Sequence, residues 1–107
     1  MATRLTDAER TSLTKTLPGW SLVEGHEAIA RNFQFRDFNE AWGFMNRVAL
    51  LAESQNHHPE WSNVWNRVSF DLVTHSVKGI SDLDFVLAEK IEEIFTMQTA
   101  SRASSGT

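Results

Sequence analysis

The sequence predicts a single α+β domain, a four-stranded antiparallel sheet packed with three helices in the order α-β-β-α-β-β-α. Three observations carry this prediction. Stretches with apolar residues at three- and four-residue steps alternate with pairs of short stretches that alternate every second residue. Capping residues precede each helical stretch. No internal repeat divides the chain, and its 107 residues suffice for one core.

Thr6-Asp7-Ala8-Glu9 forms a capping box, in which the Thr6 hydroxyl and the Glu9 carboxylate satisfy helix-terminal amides reciprocally. The helix is expected to reach about Leu17, where Pro18 and Gly19 stop it. Trp20 to Val23 and Ala28 to Phe35 read as the strands of a hairpin, with Gly25 available for a left-handed turn between them. Ile29, Phe33 and Phe35 share one face of the second strand, although Arg31 interrupts it. Asp37 and Glu40 frame the next helix start. From there Phe38, Ala41, Trp42, Met45, Val48, Ala49 and Ala52 recur at helical steps, while Phe44, Leu50 and Leu51 fall outside that stripe. So much apolar surface on one helix predicts self-association. Trp61 to Trp65 and Val68 to His75 are expected as two strands reversing at Asn66-Arg67. Ser81 to Asp84 caps a last helix carrying Leu83, Leu87, Ile91, Ile94 and Phe95. From Thr96 the pattern is lost, so a domain over residues 1–95 and a frayed tail over 96–107 are expected.

With 41% hydrophobic and 22% charged residues, the composition is that of a globular domain. Fourteen acids against ten bases leave a net charge of −4 without a basic block, which disfavours direct nucleic-acid binding. No apolar run approaches the length of a membrane span. The absence of cysteine excludes disulfides, thiolate nucleophiles and cysteine-ligated metals. The N-terminus lacks an apolar signal core, so a cytoplasmic location is expected.

Chemistry concentrates at Asn56-His57-His58-Pro59. Adjacent histidines in an extended segment point apart, and Pro59 keeps His58 out of helical geometry, so the two do not make an ordinary zinc pair. A metal site would need His75 as a third ligand. Glu53, four residues before His57, shares a face with it if the helix persists. His75 ends a predicted strand, where functional side chains often emerge. The bland alternatives are a capped helix end with a proline turn, a strand-end histidine bonded to backbone, and Asp84 as the carboxylate of the Ser81 cap. His26 reads as surface, and Trp20, Trp61 and Trp65 as core. With no serine or cysteine nucleophile motif and no phosphate loop, three histidines suit proton transfer on a small, flat substrate.

The spacing Glu53, His57-His58-Pro59, Trp65, His75 and Asp84 resembles the signature of the pterin-4a-carbinolamine dehydratases. The similarity continues through Trp20, the segment from Phe33 to Leu50 and the helix after Ser81, covering most of residues 5 to 95. The resemblance implies dehydration of 4a-hydroxytetrahydrobiopterin to quinonoid dihydrobiopterin, in tetrahydrobiopterin recycling, with no metal and no cofactor. It implies that His57 and His75 act as proton donor and acceptor in an order it leaves open, and that His58 positions the pterin. Trp20 would line or stack on the ring, and Glu53 and Asp84 would orient imidazoles. Asn56 departs from the aspartate of animal relatives, which puts a neutral amide beside the histidines and implies an altered pH–rate profile. The family also implies homodimers or homotetramers, and a second role as a dimerisation cofactor for a transcription factor, with a nuclear location in that role. A scaffold without turnover and a metal-dependent hydrolase are further alternatives.

Overall fold

The computed structural model describes residues 2–23 and 27–105, the last five by backbone alone. Three helices and a four-stranded antiparallel sheet follow one another as α1 (Asp7–Thr14), β1 (Ser21–Leu22), β2 (Ile29–Gln34), α2 (Phe38–Gln55), β3 (Glu60–Val64), β4 (Arg67–Leu72) and α3 (Asp82–Ser105), with a short 3-10 turn at His75–Val77. The expected α+β architecture is therefore the observed one.

The capping box of α1 forms with both of its hydrogen bonds. The helix ends at Thr14, three residues short of the expected Leu17, and the chain continues in i to i+3 turns, Thr16 N–H to Leu13 and Leu17 N–H to Thr14. At α2, Asp37 accepts from the Glu40 amide at 2.8 Å, but Glu40 reaches back to the amide of Arg36 instead of Asp37. The box is thus displaced by one residue.

The strands lie in the order β1-β2-β4-β3. The two central strands pair over their whole length, Ile29 opposite Leu72 and Gln34 opposite Arg67. Period-2 alternation turns Ile29, Phe33, Val68, Phe70 and Leu72 to one face, where all five are buried. Helices α2 and α3 cover that face: Phe33 meets Phe44 of α2 at 5.0 Å and Phe95 of α3 at 4.9 Å between ring centroids. Beta1 is shorter than expected, with Val23 adding one hydrogen bond to Ala28. The hairpin turn with Gly25 and His26 lies outside the described residues.

Several local expectations need correction. Beta4 ends at Leu72, so His75 does not end a strand but opens the 3-10 turn. The β3–β4 reversal is at Trp65-Asn66, one residue earlier than read, because Phe35 and Asn66 bond each other through both backbone and side chain. Trp65 therefore occupies a left-handed conformation (φ 49°) and is exposed at the hairpin tip instead of buried. On α2 the inward face is Ala41, Phe44, Val48 and Ala52. Phe44 is 0% exposed, whereas Trp42 is 51% exposed and stacks on Phe38 at the surface. Both stripes have helical spacing, and the aromatic rings of the sheet select the one containing Phe44. Finally, α3 stays helical to Ser105, past Thr96 where the apolar pattern fades. Gln98 anchors that stretch to α2 by donating to the Glu40 carbonyl and accepting from Arg47.

Candidate active site

Helix α2 ends on Asn56, whose backbone is left-handed (φ 50°, ψ 40°). The Asn56 amide donates to Glu53 and the His57 amide to Ala52, the paired bonds of a Schellman ending. Asparagine tolerates this conformation better than most residues, which gives position 56 a backbone role independent of charge. The ending fixes where the chain leaves the helix, and His57 and His58 are the next two residues. Pro59 then leads into β3.

His75 is held differently. After β4 the chain pinches into a loop closed by reciprocal backbone hydrogen bonds between Thr74 and Gly79, at 2.9 and 3.3 Å. His75 opens the 3-10 turn inside that loop, and Lys78 takes the left-handed conformation that lets the loop return (φ 54°). Asn56, His57, His58, Thr74 and His75 together line a cleft of about 300 Å³, with Val73, Ser76 and Leu83 completing its wall. That volume sits at the small end of the roughly 300–1,000 Å³ usual for small-molecule sites.

Each imidazole pairs through Nε2 with its own carboxylate. His57 meets Asp84 at 2.7 Å, His58 meets Glu53 at 2.9 Å and His75 meets Glu60 at 2.9 Å. Because α2 stops at Gln55, the expected Glu53–His57 alignment does not form; Glu53 takes the next histidine and Asp84 takes His57. An ionised carboxylate only accepts, so in the His57 and His58 hydrogen bonds Nε2 donates and Nδ1 carries the lone pair, while His75 and Glu60 form a close ion-pair contact.

The pairs differ sharply in setting. The His57 side chain is 11% exposed and Asp84 is 0% exposed, whereas His75 is 81% exposed. Exposed pairs contribute at most about 1 kcal/mol, so His58 and His75 are lightly held before a ligand arrives. His57 is pre-set. Asp84 Oδ2 also accepts from the Ser81 amide at 2.9 Å and the Thr74 hydroxyl at 2.8 Å, while Oδ1 faces His57. The helix-cap reading of Asp84 and the histidine-orienting one thus describe two oxygens of one side chain.

Two residues depart from the sequence-based set. Trp20 is buried away from this cleft, packed on Phe33 and Phe70 with its indole N–H donating to Glu92 at 2.9 Å. Arg31 donates to the same Glu92 oxygen at 2.7 Å, so the tryptophan serves a core network between β2 and α3. Glu60 went unread. Its signal was its place next to Pro59 at the start of β3, but only the fold brings it to His75. Among the described residues no group of three or more His, Cys, Asp and Glu side chains is arranged to hold a metal ion. No helix among them is long and apolar enough to cross a membrane.

This is a small α+β domain that gathers three histidines, each beside its own carboxylate, at one cleft, the kind of side chains that proton transfer uses. Residues 3–94 match the family model described as pterin 4 alpha carbinolamine dehydratase. The chain belongs to that family. A relative bearing the family's name from Synechococcus sp. (strain WH7803) is 53% identical over 94 residues, 88% of this chain and 99% of its own. Another, from Novosphingobium aromaticivorans, is 56% identical over 89 residues, covering 83% of this chain and 93% of its own. The crystal structure of a transcriptional coactivator/pterin dehydratase from Brucella melitensis superposes with a TM-score of 0.84 at 48% identity, over 86% of this chain and 98% of that one.

Proposed function

We propose that this protein dehydrates 4a-hydroxytetrahydropterins, the biopterin form among them, to the quinonoid dihydropterin and water, as part of tetrahydropterin recycling. The observation that carries the reading is the convergence of His57, His58 and His75 on one cleft. Family membership supplies the substrate class.

The reaction needs two proton movements. The C4a–O bond breaks as its oxygen takes a proton from an imidazolium and leaves as water. The lone pair of the adjacent ring nitrogen forms the new C=N bond, and the proton on that nitrogen passes to a neutral imidazole. One proton is given and one is taken, so water is the only other product. His57 and His75 divide these steps, and His58 holds the ring. Asp84 supports His57 by keeping Nε2 protonated and by stabilising the imidazolium that forms. Glu53 does the same for His58, and Glu60 places a negative charge beside His75. Asn56 shapes the cleft wall through the end of α2.

The test is the decay of freshly generated 4a-hydroxytetrahydropterin, followed by ultraviolet absorbance in the presence of a chelator. Wild-type protein is expected to accelerate decay, and His75→Ala to lose about 10²–10⁴-fold of that acceleration. Wild-type protein that does no better than buffer would refute the reading.

A second reading is favoured by the exposed apolar residues of α2 and by the Brucella structure's description as a coactivator. In it, Phe38, Trp42 and Leu50 serve homo-oligomerisation and contact with a protein partner such as a transcription factor. Leu50 is 75% exposed, so Leu50→Glu leaves the core intact. A lower sedimentation mass for that variant supports the second reading, and an unchanged mass counts against it.

A further inference from the structure

The buried polar side chains among the described residues are Thr74, Ser81 and Asp84, and all three belong to one hydrogen-bonded chain. The Leu83 amide donates to Ser81 Oγ at 3.1 Å. Ser81 Oγ and Thr74 Oγ1 lie 2.6 Å apart, and Thr74 Oγ1 lies 2.8 Å from Asp84 Oδ2. A threonine hydroxyl has one proton, and an ionised carboxylate has none to give. Thr74 therefore donates to Asp84. Its oxygen is then left to accept, so the Ser81 proton must point at Thr74. Every bond in the chain runs one way, from the Leu83 amide through two hydroxyls to Asp84, whose other oxygen accepts from His57 Nε2. Aligned hydrogen bonds polarise one another, and in a buried site that reinforcement is not diluted by water.

We propose that Thr74 is a positioning residue for the reaction: its hydroxyl, oriented by Ser81, holds Asp84 as a pure acceptor and so fixes His57 with the proton on Nε2 and the lone pair on Nδ1. This rests on the proposed dehydratase reading, in which His57 Nδ1 exchanges the proton. The side chain of Thr74 acts through Asp84 and not on the substrate. Asp84 reversing its role, by protonating and donating to Nε2, would place the histidine proton on Nδ1 and make the ring useless as a base at that atom. The two donors at Oδ2 hold the carboxyl group in one orientation, with Oδ1 as the oxygen left to face His57 Nε2.

The experiment combines imidazole 15N NMR on the whole protein with steady-state dehydration kinetics, for wild type, Thr74→Val, Thr74→Ala and Thr74→Ser. The wild-type His57 is expected to show a protonated Nε2 and an unprotonated Nδ1 in its neutral form. Thr74→Val, which keeps the shape and deletes the hydroxyl, is expected to mix the two tautomers and to lower kcat about tenfold with KM within about twofold. Thr74→Ser is expected to restore both. If valine at this position does not fold, Thr74→Ala gives the same deletion without branching. A wild-type His57 protonated on Nδ1 would overturn the proposal without any variant. So would a hydroxyl-deleted variant that keeps the wild-type 15N pattern, or one whose loss is confined to KM. Because the NMR readout needs no substrate, a Thr74-dependent tautomer in a protein without dehydration would retain the positioning role and refute the dehydratase reading instead.

Discussion

Replacing Asp84 disturbs two structures at once, since Oδ2 closes the start of α3 and Oδ1 holds His57. Asp84→Ala leaves a buried imidazole, a hydroxyl and an amide without their acceptor, and about 3–5 kcal/mol of stability is expected to go with it. Asp84→Asn keeps one acceptor oxygen for the cap and presents an amide group elsewhere. It is expected to lose less stability, about 1–2 kcal/mol, but to lower kcat by more than it raises KM. Urea unfolding beside steady-state kinetics checks both, and equal stability losses in the two variants would contradict the split. At this scale much of the site was legible. The spacing of Glu53, His57, His58, His75 and Asp84 marked the residues that the fold brings to the cleft or its carboxylate supports. Pairings were not legible, because which carboxylate reaches which imidazole depends on where α2 stops and on the loop after β4. For the same reason Glu60 was missed. Trp20 illustrates the converse error: an aromatic residue suited to stacking on a ring is equally suited to a core, and here Glu92 and Arg31 hold it there.

Among the elements, the end of α2 decides the site's geometry. Asn56 sits at φ 50°, where a β-branched residue pays about 1–2 kcal/mol and glycine almost nothing. Asn56→Gly is therefore expected to leave melting temperature and turnover near wild type. Asn56→Val is expected to lower both, because strain at the cap re-aims His57 and His58. Equal behaviour of the two variants would show that the amide side chain, and not the backbone, is what position 56 contributes. The element boundaries were legible wherever a cap announced them, at Thr6, Asp37 and Ser81. They were less so where long-range contacts arbitrate. Both apolar stripes of α2 satisfy helical spacing, and only the rings of Phe33, Phe35 and Phe70 on the sheet choose Phe44 over Trp42. The hairpin turn moved by one residue because Asn66 is tied to Phe35 across the sheet, a contact that local sequence does not display.

Across the whole molecule, the sheet and the helices over one of its faces serve to hold two kinds of histidine near each other. His57 is locked through Asp84 to the start of α3, and His75 stands on a pinched loop with a solvent-exposed partner. The architecture was legible from the alternation of helical and extended patterns, because a chain of this length has room for one core and antiparallel hairpins need only short turns. In the proposed dehydration these two imidazoles act on one substrate in one step. Single-turnover dehydration by His57→Ala, His75→Ala and the double variant separates this from independent action. Residues that act as a unit lose their contributions together, so each single variant is expected to fall by about 10²–10⁴-fold and the double variant to fall little further. Single variants that retain wild-type turnover, or losses that multiply in the double variant, would contradict the account.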